Sequence, residues 1–426
     1  MSAPAGPVSP RMAAYGRFLA TFGFFTLAAG DLWRYLLSWW GWSAIVVVFV
    51  TLAVRELVRR RVDLRWTPIL LLATLALMTL SIAWSAYPGA SAVGVLATVG
   101  TTVYAVFLAT CFTWAELVDA LARAMRWVLA LSLLFELVVA VVIRQPVLPL
   151  WVDHSALEEI PKAFYWSRDV LFEGGRIQGI VGNANILAMA ALLSLIAEPA
   201  RAVAGRGLRV ASIGWIGLAV AVLALTRSST VFVAGFAVIV VCLIAWFARR
   251  GSGARRVVTT VGAVAAIAVA VPVVLMLRGP LLALLGRSDD LTNRLDIWQI
   301  VVDTAMQRPV AGWGWVSYWA PWVEPFDDLV VIKGVTYLQA HNAWLDIFLQ
   351  LGVIGLVVVG LFVLATIVRS WSYALDGPRD SALVPLALLV AVLVQGLAES
   401  RLLIEIGWAL LVLVSVRTAT NRWSRE

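Results

Sequence analysis

The sequence predicts an all-α polytopic integral membrane protein of about 12 transmembrane helices, and three observations carry that prediction. Of the 426 residues, 62% are hydrophobic and 14% are charged, where a soluble globular chain would carry roughly 25% charged residues. The apolar residues gather in runs near the ~20-residue length that crosses a bilayer as a helix. The alternating ~10-residue segments of a membrane barrel are not evident.

From the N-terminus, residues 1–16 are rich in Pro, Ala and Ser and read as a short disordered cytoplasmic tail. Nine spans follow in a membrane domain at 17–276: 17–30, 37–54, 67–86, 91–112, 127–143, 178–197, 210–226, 230–247 and 257–276. A large external loop occupies 277–343. The remaining three spans, 344–368, 382–398 and 403–416, make up the membrane segment 344–416, and 417–426 is a second tail. No cleavable signal is evident, because the first apolar stretch runs directly into another span. No internal repeat is obvious, so an inverted-repeat transporter design gains no support.

The net charge of +8 would suit a nucleic-acid partner, but membrane topology accounts for it without one, because basic residues collect in cytoplasmic loops. With the N-terminus inside, 21 Lys and Arg residues fall inside and 12 outside, and the compact arginine clusters at 59–61 and 249–256 are both inside. Both termini are therefore expected in the cytoplasm. Arginine outnumbers lysine 31 to 2, the lysines being Lys162 and Lys333. Cys111 and Cys242 fall in apolar runs with no metal-ligand spacing and imply no disulfide.

Two outer segments are long, 144–177 and 277–343, and long ordered loops usually carry function. Within the second, Leu295, Trp298, Val301 and Val302 recur at helical spacing, which predicts an amphipathic helix over 292–307. Pro309 stops it, and Arg308 is biased away from helix as the residue before proline. The following "AGWGWVSYWAPWVEP" holds glycines and four tryptophans, a composition expected at headgroup level, where aromatic rings prefer to lie.

The candidate chemistry concentrates on the outer face. His341, one of two histidines, stands where a polar loop meets an apolar run. It reads either as an interfacial residue or as a base that orients an attacking hydroxyl. Asn342 beside it offers a donor and an acceptor. Arg294, with Trp298 one turn later, is either a solvated loop arginine or a planar fork for phosphate oxygens. Arg176 precedes span six, and Asn183 and Asn185 fall inside it, where amides are costly unless they face protein or a wet cavity. They suit interhelical hydrogen bonding as well as a site. Arg227 lies in the short turn "LTRSST", where the orientation rule gives no reason for an arginine. Glu399 and Arg401 flank the last outer turn, Glu405 opens the last span and Glu136 lies mid-span. A structural ion pair, or protonation in place, explains these acids as well as a site does. His154 reads as structural or solvated.

No cluster has metal-ligand spacing and no Walker motif is present, so neither metal nor nucleotide is implied. Arginines at headgroup depth suit a lipid-linked diphosphate, a good leaving group once fixed cations meet its developing charge. With a base at the same depth, these residues suggest glycosyl transfer powered by a lipid-diphosphate sugar donor.

Four blocks also resemble the O-antigen ligase and polysaccharide polymerase superfamily. "HNAWLDIFLQLGVIG" has the form H-N-x9-G-x-x-G, with His341, Asn342, Gly352 and Gly355. "NRLDIW…QRPVAGWGW" is similar to its R-x3-W…P-x2-G-x-G stretch, "GRIQGIVGNANILA" to its R-x2-G-x3-N-x-N entry, and "TRSS" to its Arg/Ser turn. The blocks lie in family order over 176–355. The chain departs in carrying Ala184 where proline is common between the asparagines, and in the order of its turn. Arg287 begins a competing R-x3-L string, and Arg294 is preferred because Trp298 accompanies it.

The resemblance implies a GT-C-like membrane glycosyltransferase that takes a glycan from undecaprenyl diphosphate without metal, nucleotide or other cofactor. Its implied partners are that lipid-linked donor, a glycan or lipid-glycan acceptor and membrane lipid. Carried over by motif, Arg176, Arg227 and Arg294 hold the diphosphate. His341 activates the acceptor, and Arg294 also belongs to the catalytic pair. Asn183, Asn185, Asn342, Trp298, Glu399 and Arg401 support them. Polymerase and ligase are not separated by these residues, although nothing in them speaks for the special acceptor that a ligase needs. The competing readings are a transporter or flippase for lipid-linked oligosaccharide, which would place polar residues along a full transmembrane path, and a non-catalytic scaffold.

Overall fold

The computed structural model describes residues 10–152, 159–203, 210–262, 265, 289–332 and 334–419. The chain divides into two compact units. One comprises positions 1–62 and 103–232, the other 63–102 and 233–426. Twelve helices are labelled α1 (Pro10–Ala28), α2 (Gly30–Arg59), α3 (Ile69–Leu80), α4 (Pro88–Cys111), α5 (Trp114–Val138), α6 (Ala184–Arg201), α7 (Val210–Thr226), α8 (Ser229–Arg249), α9 (Asp289–Ala305), α10 (Ala343–Asp376), α11 (Val384–Gly396) and α12 (Glu405–Ala419). Among the described residues, six helices are long and apolar enough to cross a membrane: Gly30–Arg59, Pro88–Cys111, Trp114–Ile143, Ala184–Arg201, Ser229–Arg249 and Ala343–Asp376. This is a multi-pass membrane protein.

In the first unit α5 packs against α1 and α6, and α6 against α7. The start of α5 differs from the sequence expectation of a span over 127–143. Thr113 and Glu116 form a capping box, with Glu116 N–H donating to Thr113 Oγ1 at 3.3 Å and Thr113 N–H to Glu116 Oε2 at 2.9 Å. These reciprocal bonds satisfy donors that a helix start leaves unpaired. The helix therefore begins at Trp114, and its polar first turns are held by ion pairs. Arg126 binds Glu198 at 2.6 Å, and Arg201 binds Asp119 at 2.7 Å. Hydropathy alone cannot find such a paired end.

α6 also begins later than the expected 178–197. A 3₁₀ turn, Gly179–Val181, comes first, and Gly182 adopts a left-handed φ of +61°. A Cβ there would strike the Tyr35 ring. Asn183 then caps α6, accepting from the backbone N–H of Asn185 at 2.8 Å and of Ile186 at 3.2 Å. The two asparagines thus sit at a helix start rather than inside a span.

In the second unit α10 is central, packing against α3, α9, α11 and α12. It is broken at Gly352, whose φ of +64° and ψ of −161° are open essentially to glycine alone. Residues 309–314 fill the break. Val353 N–H donates to Pro309 O at 2.8 Å and Ile354 N–H to Val310 O at 3.2 Å, while Trp313 and Gly314 N–H donate to Leu349 O and Gln350 O at 3.0 and 2.9 Å. The strap therefore satisfies the backbone groups that a helix break would orphan. A side chain on Gly312 would collide with the Gln350 backbone, and one on Gly352 with the Val310 carbonyl.

The tryptophan-rich segment corrects an expectation. Trp315 and Trp319 are buried, not spread at headgroup level. Trp313 Nε1–H donates to Thr304 O at 3.0 Å and Trp315 Nε1–H to Thr98 Oγ1 at 3.1 Å. Each indole N–H has found a buried partner, so the rings serve as core. Trp319, with the half-buried Trp313 packed against it, joins Ile297, Val301 and Ala305 of α9 in one apolar cluster. A two-residue hairpin, Val331–Ile332 against Val335–Thr336, leads on toward α10. Lys333, His154 and Arg287 lie outside the described residues.

Candidate active site

The segment Gln339–Asn342 delivers His341 to the start of α10. Asn342 is the N-cap: its Oδ1 accepts from the N–H groups of Trp344 at 3.0 Å and Leu345 at 3.3 Å, and its Nδ2 donates to Leu397 O at 3.2 Å. Capping side chains of this type contribute about 0.5–2 kcal/mol. His341 itself has a left-handed φ of +50°, a conformation costing of order 1–3 kcal/mol in a side-chain-bearing residue. That backbone turn aims the ring at Glu399, with Nδ1 2.9 Å from Oε2. Tyr337 packs edge-on against it.

Glu399 is only 3% exposed. Its other oxygen, Oε1, accepts from Arg294 Nη2 at 3.0 Å. One buried carboxylate thus joins the loop imidazole to the guanidinium on α9. A ring that donates its Nδ1–H to this carboxylate keeps its lone pair on Nε2, the arrangement a base requires. Arg294 has five N–H donors in a fixed fork, of which Glu399 engages one nitrogen.

A second acid lies behind this group. Asp346 is 1% exposed. It accepts from Trp319 Nε1–H at 2.6 Å, from Ala340 N–H at 3.1 Å and from the Ser400 hydroxyl. Ala340 precedes His341 and Ser400 follows Glu399, so Asp346 ties together the segments carrying both. Gln350, one turn further on, accepts from Val316 and Ser317 N–H at 2.8 and 3.0 Å and holds the strap. The sequence reading passed over Asp346, Gln350 and Gln339. An acid inside an apolar run four residues after the cap was the available signal for Asp346.

Two supporting candidates have structural partners. Arg401 pairs with Glu405 at 2.7 Å. Trp298 packs against the apolar cluster around α9, and its Nε1 is buried with no hydrogen-bond partner among the described residues.

In the other unit, Arg176 donates Nη2 to Asn185 Oδ1 at 2.7 Å and Nε to Thr226 O at 3.1 Å, and Ser228 donates its hydroxyl to the same Asn185 oxygen at 2.9 Å. Asn185 thereby ties Arg176 to the α7–α8 turn that holds Arg227, whose φ is +49°. Arg227 Nη2 reaches toward Gly174, where a Cβ would stand 3.3 Å away. Glu136 is a buried anchor: it accepts from Gln178 N–H at 2.9 Å, Gly179 N–H at 2.7 Å and Ser167 Oγ at 2.8 Å, which fixes the chain just after Arg176. Burial, and then the like charge of Arg176, push the nearby Arg168 guanidinium below its ordinary pKa. Among the described residues no group of three or more His, Cys, Asp or Glu side chains is placed to hold a metal ion.

A family model described as O-Antigen ligase matches residues 213–360. The chain carries a domain of the O-antigen ligase superfamily. The matched stretch contains Arg227, Arg294, Trp298, His341, Asn342, Gly352 and Gly355, whereas Arg176, Asn183, Asn185, Glu399 and Arg401 lie beyond it. A search of curated proteins found no match. The match covers about a third of the chain and, with the apolar helices, supports a membrane protein of the O-antigen ligase and polymerase type, a family whose reaction is glycosyltransferase-like.

Proposed function

We propose that the protein transfers a glycan from an undecaprenyl-diphosphate-linked donor to an acceptor hydroxyl at the external face of the membrane, without metal or nucleotide. The single observation that carries this reading is the buried Glu399 carboxylate shared by His341 and Arg294. His341 Nε2 takes the proton from the acceptor hydroxyl as its oxygen forms a bond to the anomeric carbon. The bond from that carbon to the diphosphate oxygen breaks, and the electron pair leaves with the lipid diphosphate. Glu399 holds the ring and stabilises the imidazolium. Arg294 meets charge developing on the leaving group, and Arg176 and Arg227 take diphosphate roles on the strength of the resemblance. The family match and the charge asymmetry of the loops support a twelve-span, GT-C-like arrangement with cytoplasmic termini. Polymerisation is favoured over ligation, because no feature points to a special acceptor.

The test is turnover by the purified protein in nanodiscs with a lipid-diphosphate glycan and an acceptor glycan. Product should form, and His341→Ala should abolish it while the folded yield stays intact. Full turnover by both His341→Ala and Arg294→Ala rejects the reading. Movement of the lipid-linked glycan across liposomes without bond formation would replace it with transport.

A further inference from the structure

A groove of about 270 Å³ runs between α1 and α5, lined by Phe18, Thr21, Phe22, Phe25, Trp127 and Leu131. Phe18 and Trp127 are exposed and mark its open side. The lining follows two helical stripes. Phe18, Thr21, Phe22 and Phe25 recur at three- and four-residue steps on α1, and Trp127 and Leu131 sit one turn apart on α5. Arg123, one turn before Trp127, closes one end by donating its Nε–H to Thr21 Oγ1 at 3.4 Å.

That end is cationic. Arg17, Arg126 and Arg201 stand close enough to add like charge to Arg123. The carboxylates paired there are Glu198, with Arg126 and Arg201, and Asp119, with Arg201. Among the described residues, four guanidiniums thus lie about two carboxylates, both paired with Arg126 or Arg201, and the surplus at Arg17 and Arg123 lies at the mouth of an apolar slot between α1 and the membrane-crossing α5. Arg17 is exposed, so its fork is accessible from outside the helix pair.

We infer that this groove is a binding site for an anionic glycerophospholipid, its phosphate at Arg123 and Arg17 and one acyl chain along the Phe22–Leu131 slot. Charge decides the lipid class. A phosphodiester without a compensating ammonium offsets the surplus, whereas a zwitterionic headgroup brings a second cation into it. Guanidinium forks also match phosphate oxygens in pairs. The site lies in the unit that lacks His341 and Glu399 and does not depend on the proposed reaction.

The test is native mass spectrometry of protein released from nanodiscs made of equal parts phosphatidylglycerol and phosphatidylcholine. The wild-type protein should retain phosphatidylglycerol several-fold over phosphatidylcholine. Arg17→Gln/Arg123→Gln should lose that preference, and Leu131→Trp, which fills the slot, should lose the retained lipid altogether. Should the double variant not fold, Arg17→Gln alone, on an exposed side chain, should still lower the ratio. Equal retention of the two lipids by the wild type, or an unchanged ratio in the arginine variants, overturns the inference.

Discussion

Glu399 Oε2 lies 2.9 Å from His341 Nδ1, across 58 positions of sequence. Arg294 donates to the other carboxylate oxygen, so in Glu399→Gln the amide oxygen can keep accepting from the guanidinium while the NH₂ faces the ring. That NH₂ donates to the Nδ1 lone pair, which puts the imidazole proton on Nε2 and removes the base that must face the acceptor hydroxyl. We expect turnover to fall about 10²- to 10⁴-fold, the usual range for a lost acid–base contribution. The KM for the donor should move much less. Initial rates over a range of donor concentrations check this, and a variant as fast as wild type rejects the coupling.

Asp346 predicts a different signature. Removing its carboxylate in Asp346→Ala strands the Trp319 indole N–H, the Ala340 N–H and the Ser400 hydroxyl. Each buried group left unpaired costs about 1–3 kcal/mol. Thermal unfolding in detergent should therefore show a large drop for Asp346→Ala and a smaller one for Asp346→Asn, which keeps one acceptor oxygen. Equal midpoints for the two variants would contradict the three-donor arrangement.

Gly352 and Gly360 lie on the same helix and should respond in opposite ways. Gly352→Ala demands an unfavourable φ and drives a methyl into the Val310 carbonyl, so folded protein should be lost. At Gly360 a Cβ meets nothing within 4 Å. Gly360→Ala should therefore stabilise by roughly 0.5–1 kcal/mol through helix propensity. Size-exclusion yield and melting temperature separate the two. A well-folded Gly352→Ala would show that the break is dispensable.

These outcomes also show how far the sequence could be read. The H-N-x9-G-x-x-G spacing was legible, and the structure supplies its reason. Asn342 caps the helix that Gly352 breaks, so the nine intervening residues set where the strap enters relative to His341. The motif P-x2-G-x-G was visible for the same reason, since Gly312 must pass against the Gln350 backbone. What spacing could not carry was contact between distant segments. Glu399 was placed beside the site only as a supporting residue, because its partners lie 58 and 105 positions away. Trp315 and Trp319 misled, while Trp322 stays exposed, because composition does not distinguish a ring at the surface from a ring in a core. Asn183 looked like a polar intrusion in a span until the 3₁₀ turn before it moved the helix start.

That last shift separates two asparagines that the sequence treats alike. Asn183 gives its oxygen to the backbone of α6, so Asn183→Ala should cost about 0.5–2 kcal/mol and Asn183→Ser should recover most of it, as for other N-caps. Asn185 gives its oxygen to Arg176 and Ser228, so its loss removes one of the contacts that orient a guanidinium rather than one that closes a helix end. Asn185→Ala should raise the KM for the lipid-diphosphate donor with a melting temperature near that of wild type, and Arg176→Lys should do the same, because an ammonium cannot reproduce a planar fork held at two points. Kinetics and thermal scans on the four variants check the split. If Asn185→Ala lowers only the melting temperature and leaves the donor KM untouched, Arg176 is a structural tie to the α7–α8 turn and not a contact for the diphosphate.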